Sequence, residues 1–295
     1  MKIYFGTDLK LIDVTDICLD KLTKNNILTI PSNDHVRTRY FTDPLYGVEK
    51  MIMLVMDGVM TQYDIYTRIK INIITHEVTV ENDKDINAKT ASMQSKLKLK
   101  YGSFNEELPE QKMAVRYLTG NEKVLEIGGN IGRNTLIIAS ILNDSTNLVS
   151  LECDANIANQ LIENRDLNNL NFHVEKSALS NRKLIQKGWD TIPSDTLQEG
   201  FKWVDTITLN DLKIKYGLVF DTLVLDCEGA FYYILMDSPE ILDNINLIIM
   251  ENDYWDISKK NYVDEILTNH GFSVDYSESG GWGPCYNNFF EVWKK

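Results

Sequence analysis

The chain lacks the features that brace small secreted domains and those that track nucleic acid. Its four cysteines, Cys18, Cys153, Cys227 and Cys285, stand far apart with no CxxC pair. That excludes a cysteine zinc site, argues against a disulfide framework, and fits free thiols in a reducing compartment. Basic residues are outnumbered, 30 Lys and Arg against 43 Asp and Glu, for a net charge of -13. A chain that follows a phosphate backbone normally shows a basic face, so broad nucleic-acid binding is disfavoured. Long apolar runs are missing too. The longest, Met51 to Met60, is broken by Asp57 and is too short to span a bilayer. The first residues, MKIYFGTDLKLIDV, carry charges and a glycine where a signal peptide would have its apolar core. A cytoplasmic protein with no membrane span is expected. There is no internal repeat and no low-complexity tract.

What is present is a globular composition, 43% hydrophobic over 295 residues, long enough for one larger domain and a smaller companion. Residues 1–95 alternate short β-branched and aromatic runs with turn signals, which predicts a small, mainly antiparallel β domain suited to substrate recognition or dimerisation. Residues 81–98 lose the apolar pattern and read as a polar connection. From 96 to 295 strand and helix patterns alternate: KVLEI, NTLIIASIL, NLVSLE, NIANQLIENRDLN, NFHVEKSAL, then FDTLVLD, FYYILMDSPEIL, INLIIME and NYVDEILTNHG. Near-continuous apolar strands between helices predict an α/β, Rossmann-like domain, a mostly parallel sheet with helices on both faces. FSVDYS and NNFFEVW close the chain as a strand pair with no helix between them, so the last strand should be antiparallel.

The first strand of this domain runs into Glu126, Gly128, Gly129, Asn130 and Gly132, then a helix. Glycines there let the backbone turn tightly and approach a ligand, and the helix N-terminus offers free N–H groups to an anion. Glu152 ends the next strand, 26 residues beyond Glu126, placed to accept ribose hydroxyls. A dinucleotide fingerprint would read GxGxxG. Here the loop reads GGNIG with Glu126 before it, an acid that suits a ligand ammonium and would repel a pyrophosphate. Further on, Asp226 and Glu228 leave the end of a central strand, and Glu251, Asn252 and Asp253 leave the end of the next. These are the carboxyl edges where open α/β sheets bind ligands.

Four stretches, EIGGNIGRNT (126–135), LECDANIANQLIENRDLNN (151–169), TITLNDL (206–212) and DCEGAFYYIL (226–235), resemble the FkbM-like family of S-adenosylmethionine-dependent O-methyltransferases. The resemblance runs from about residue 100 to the end; Gly129 stands where the family often has Ala, and Glu126 where Asp is usual. It implies a class I methyltransferase fold with a seven-stranded sheet, and S-adenosylmethionine as cofactor. Glu126, Gly128, Asn130, Gly132, Glu152, Ser177, Ala178 and Asp226 would then hold the cofactor, with Ser177 and Ala178 at the adenine. The acceptor it implies is a hydroxyl of a sugar in a glycan or glycoconjugate. Such a hydroxyl needs a base or a cation to lose its proton. Asp226 and Glu228 are the candidate catalytic pair, with Glu228 as base or acceptor ligand. Magnesium or manganese is the candidate ion, at Asp226, Glu251 and Asn252.

Two alternatives stay open: methylation of a non-carbohydrate small molecule, and a catalytically silent glycan-binding protein. Nucleic acid is further disfavoured by the absence of an NPPY-type run for an extruded base. A homo-oligomer remains an option for the first 95 residues. Weaker candidates are Tyr101 and Gln111 beside the cofactor, Trp282 and Tyr286 as an acceptor wall, and His35, Arg37, Arg39, Tyr40 and Tyr46 as a sugar or phosphate site or else a charged hairpin.

Overall fold

A computed structural model describes every residue of the chain except Asn25; the side chains of Lys24 and His35 also lie outside the described residues. The chain divides into two compact units, Met1–Ala88 and Lys89–Lys295. The division falls within the helix Asp83–Gln94, in the stretch that reads from sequence as a polar connection.

The smaller unit holds two antiparallel sheets. One runs in the order Lys10–Asp13, Lys2–Thr7, Met51–Met56, Val59–Tyr63, and the other Thr23–Lys24, Ile27–Ile30, Thr67–Asn72, Val78–Asn82. Ile3, Phe5, Leu28, Ile52, Ile69 and Ile71 fill its core. The basic and aromatic stretch after Ser32 is not a hairpin. It forms the helix Asp34–Phe41, and the fully buried Arg37 donates to the carbonyls of Pro31 (2.8 Å), Asp64 (3.0 Å) and Thr67 (2.6 Å). A guanidinium committed to three backbone oxygens ties loops together and has little left for a ligand. His35, named with it from the sequence, falls outside the described residues.

In the larger unit, seven strands form one sheet: β1 (Val124–Ile127), β2 (Leu148–Leu151), β3 (His173–Glu175), β4 (Thr222–Leu225), β5 (Leu247–Glu251), β6 (Ser273–Glu278) and β7 (Phe290–Lys294). Their order is β3-β2-β1-β4-β5-β7-β6. The first five are parallel, and β7 slots antiparallel between β5 and β6. Every residue of β1, β2 and β4 is buried, as strands covered on both faces must be. The helices are α1 (Leu108–Tyr117), α2 (Arg133–Ile141), α3 (Ala155–Leu167), α4 (Leu209–Tyr216), α5 (Ala230–Asp237) and α6 (Ile257–Asn269). This is the mostly parallel α/β sheet with one antiparallel strand that the alternating pattern predicts. Among the described residues no helix is long and apolar enough to cross a membrane.

One element escapes the sequence pattern. Between β3 and α4 the chain builds a three-stranded antiparallel sheet, Asp190–Pro193, Leu184–Lys187 and Lys202–Val204. Its strands, LIQK, DTIP and KWV, are mixed in polarity and form no continuous apolar run.

The chain leaves β1 toward β2 and returns from the other side to lay β4 beside β1, so a crevice opens at the carboxyl ends of that pair. Gly128 makes the closure possible. Its φ is +92°, and a Cβ there would fall 1.6 Å from the carbonyl oxygen of Asp226. Gly128→Ala should therefore destabilise the fold by more than about 3 kcal/mol, as read from denaturant unfolding. A loss under about 1 kcal/mol would mean that β1 and β4 end further apart than this.

Candidate active site

The crevice is a cavity of about 210 Å³ over the ends of β1, β2 and β4. Of the residues picked out from the sequence, Gly128, Asn130, Glu152, Ser177, Ala178, Asp226 and Glu228 line it. They come from four separate turns that the sheet order brings to one edge. Glu152 is the best anchored. Its Oε2 accepts the Asn130 N–H (3.0 Å) and its Oε1 accepts the Asp154 N–H (2.8 Å). Each carboxylate oxygen keeps a free lone pair for a hydroxyl.

Two of the expected cofactor residues are not on the cavity wall. Glu126 points beneath the loop, 2% exposed, where Ser150 and Thr135 each donate a hydroxyl to its Oε2 at 2.6 Å. It braces the glycine turn from below through that oxygen. Side chains alternate along a strand, so the acid two residues before the turn faces away from it. Gly132 is the N-cap of α2, and its missing Cβ leaves room for Leu161, whose Cδ1 would be 2.3 Å away. It serves packing between α2 and α3.

The strand-end acids also divide. Asn252 turns to the other side of β5, where its Nδ2 donates to the Asn288 carbonyl (2.6 Å) and to Glu291 Oε2 (3.0 Å). That side also holds the buried Lys260, 3.0 Å from Glu291. The Asn252 amide nitrogen is thus committed to that side, while its Oδ1 is buried without a hydrogen-bond partner. The residue that joins Asp226 and Glu251 is Glu110, in the first turn of α1. Glu107 and Glu110, spaced i and i+3, share a face of that helix start, a signal present in the NEELPEQ stretch. Tyr101 and Gln111 are tied up elsewhere. Tyr101 Oη donates to Glu163 Oε2 (3.0 Å), and Gln111 Nε2 donates to the carbonyls of Phe104 (3.2 Å) and Glu106 (2.9 Å).

Sequence reasoning also missed Cys153, Gln186, Trp189 and Thr191, the last three carried by the inserted sheet, and Tyr233 of α5, all on the cavity wall. At the same sheet edge, just after β5, Trp255 stands 80% exposed and stacks on Trp282 with ring centroids 4.2 Å apart.

This edge is short of positive charge. Burial raises the Asp226 carboxyl well above its usual range, and the charges of Asp253, Glu107, Glu110 and Glu228 raise it further. Asp253 is pushed up to about 7 by burial and then by Glu228, against the Gly229 N–H that donates to it at 2.9 Å. Arg133 is engaged with Glu107 (2.6 Å) and Glu106. Three non-glycine residues here hold left-handed backbone: Glu107 (φ +56°), Asn130 (φ +48°) and Glu228 (φ +50°). Such strain gathers where surrounding structure over-determines a conformation, often at ligand sites.

No family model matches the sequence, and no curated protein matches it. Solved structures with some likeness include an O-methyltransferase from Bacillus cereus in complex with SAH, 16% identical over 72% of this chain and 90% of that one, with a TM-score of 0.43. Another is a ribosomal protein L11 methylase from Lactobacillus delbrueckii subsp. bulgaricus (11% identity, 67% and 81% covered, TM-score 0.41). A third is a precorrin-6y C5,15-methyltransferase from Geobacter metallireducens GS-15 (13%, 70% and 88%, TM-score 0.38). Likenesses this distant carry no weight for activity.

Glu126 offers a test of the turn itself. Burial lifts its carboxyl from 4.5 to about 7, against the hydroxyls of Ser150 and Thr135. Between those values the folded chain binds more protons than the unfolded one, so this group weakens the fold as pH rises through the window. Glu126→Gln keeps an acceptor for both hydroxyls and removes the titration. Its stability relative to wild type should rise from about pH 5 to about pH 8, by at most about 3 kcal/mol, in denaturant melts run across that range. A difference that does not change with pH would place Glu126 in a more polar setting.

Proposed function

We propose that the chain is an S-adenosylmethionine-dependent O-methyltransferase of the FkbM-like kind, acting on a sugar hydroxyl of a glycan or glycoconjugate. The observation that carries the cofactor is the pairing of Glu152 with the acidic rim. Glu152 presents a nucleoside-type carboxylate, and Asp226 and Glu228 line the same cavity, so a dinucleotide there would bring its pyrophosphate among acids. Two phosphates against two carboxylates repel; a sulfonium and an ammonium attract. S-adenosylmethionine supplies both cations on one nucleoside.

In this reading the ribose binds Glu152 and the adenine lies along Ser177 and Ala178. Gly128 and Asp226 would border the methionine end. The bound cofactor would supply an activated methyl group to an acceptor hydroxyl oxygen and would itself leave as a neutral thioether, the electron pair of the broken carbon–sulfur bond staying on sulfur. Glu228, exposed at the cavity mouth, takes the hydroxyl proton. The sugar is supported by the motif resemblance and by the exposed Trp255 with its partner Trp282, a flat apolar surface for the C–H face of a pyranose.

Calorimetric titration with S-adenosylmethionine should show one site per chain, and Glu152→Ala should weaken it by about 100-fold or more, the value of two hydroxyl hydrogen bonds to a charged group. Glu228→Gln should weaken cofactor binding less than Glu152→Ala does and lower transfer at saturating cofactor by about 100-fold or more, followed by mass shift of sugar acceptors. Absence of cofactor binding in the wild-type protein would overturn the assignment.

A further inference from the structure

We propose that Glu110, Asp226 and Glu251 form a binding site for one hard divalent cation, of the magnesium, manganese or calcium class, in the wall of the cavity. One ligand oxygen from each of the three lies within 4.8 Å of the others. Two oxygens facing each other across such an ion stand about 4.2 to 4.8 Å apart, so the group is already at coordination scale. The three acids come from α1 and from the ends of β4 and β5, elements that nothing but the fold brings together.

Glu110 supplies the independent observation. It is 6% exposed, and its Oε2 is buried with no hydrogen-bond partner. A buried carboxylate oxygen is ordinarily met by a donor, and leaving one unmet costs several kcal/mol. The Glu110 carboxyl instead has two further carboxyls beside it, Glu251 within hydrogen-bonding reach and Asp226, and its Oε2 stays unmet. What acts on the Asp226 carboxyl is burial and the charges of Asp253, Glu107, Glu110 and Glu228, with no donor among them. Arg133, engaged with Glu106 and Glu107, does not fill the gap. A bound cation would satisfy all three acids at once. The donor set is carboxylate oxygen only, without histidine or cysteine, which selects hard ions over zinc or copper. Because Asp226 also lines the cavity, the ion would border whatever ligand occupies it. The site stands on these side chains alone and does not rest on the methyltransferase reading.

The test is a titration of the full chain with manganese chloride, with free manganese read by electron paramagnetic resonance. One site per chain is expected, with a dissociation constant below about 1 mM, and magnesium or calcium should displace the ion. Glu110→Gln should weaken binding by about tenfold or more, and Glu106→Gln, an exposed neighbour outside the group, by less than about twofold. Absence of a site in the wild type, or a folded Glu110→Gln variant that titrates like it, overturns the proposal. If that variant does not fold, anomalous scattering from wild-type crystals soaked in manganese decides. A peak among the three carboxylates supports the site, and a peak elsewhere or none refutes it. S-adenosylmethionine calorimetry on the same protein separates the two claims. Cofactor binding without a manganese site removes only the cation, and a manganese site without cofactor binding removes only the methyltransferase.

Discussion

The backbone of the turn after β1 lies against the backbone leaving β4: the Asp226 N–H donates to the Ile127 carbonyl at 3.1 Å, and Gly128 faces the Asp226 carbonyl with no side chain between. The cavity depends on this contact. Parallel neighbours whose connections leave in opposite directions open a gap at their carboxyl ends, and its width is set by how closely the two turns approach. A side chain at 128 would wedge them apart. The loop carrying Asn130 and the turn carrying Asp226 and Glu228 would then no longer share a wall.

The same geometry concentrates charge. Parallel strands end at one edge, so acids at strand ends are delivered to one place whatever their separation in the chain. The first turn of α1 adds two more. In water such a gathering would be of little consequence, but here Glu110 and Asp253 are buried and the repulsion is weakly screened. An edge so loaded favours cationic ligands, and that selectivity exists before any particular ligand is named.

Much of the larger unit can be read from the chain because its strands are buried on both faces and its helices are long enough to show a period. The identity of strands β1, β2, β4 and β5, the antiparallel closing strand and the placing of Glu152 all follow from pattern. The side to which a strand-end residue points does not. Glu126 and Asn252 are each one step out of phase with the cavity, and a one-residue change in phase moves a side chain across the sheet. Glu110 was hidden for a different reason, since its partners lie more than a hundred residues away in sequence and only the strand order makes them neighbours. The inserted sheet of residues 184–204 left no pattern because its short strands, LIQK, DTIP and KWV, form neither a continuous apolar run nor a strict alternation.

Glu228 sits in left-handed backbone immediately ahead of Gly229, itself left-handed. A glycine or an asparagine would hold that conformation with less strain, by about 1 kcal/mol. Selection for folding alone would therefore drift position 228 toward those residues and away from a carboxylate. A glutamate held there sets local stability against having an acid at the mouth of the cleft. Stabilising substitutions sought in this protein without regard to its chemistry should be drawn first to position 228, the base of the proposed reaction.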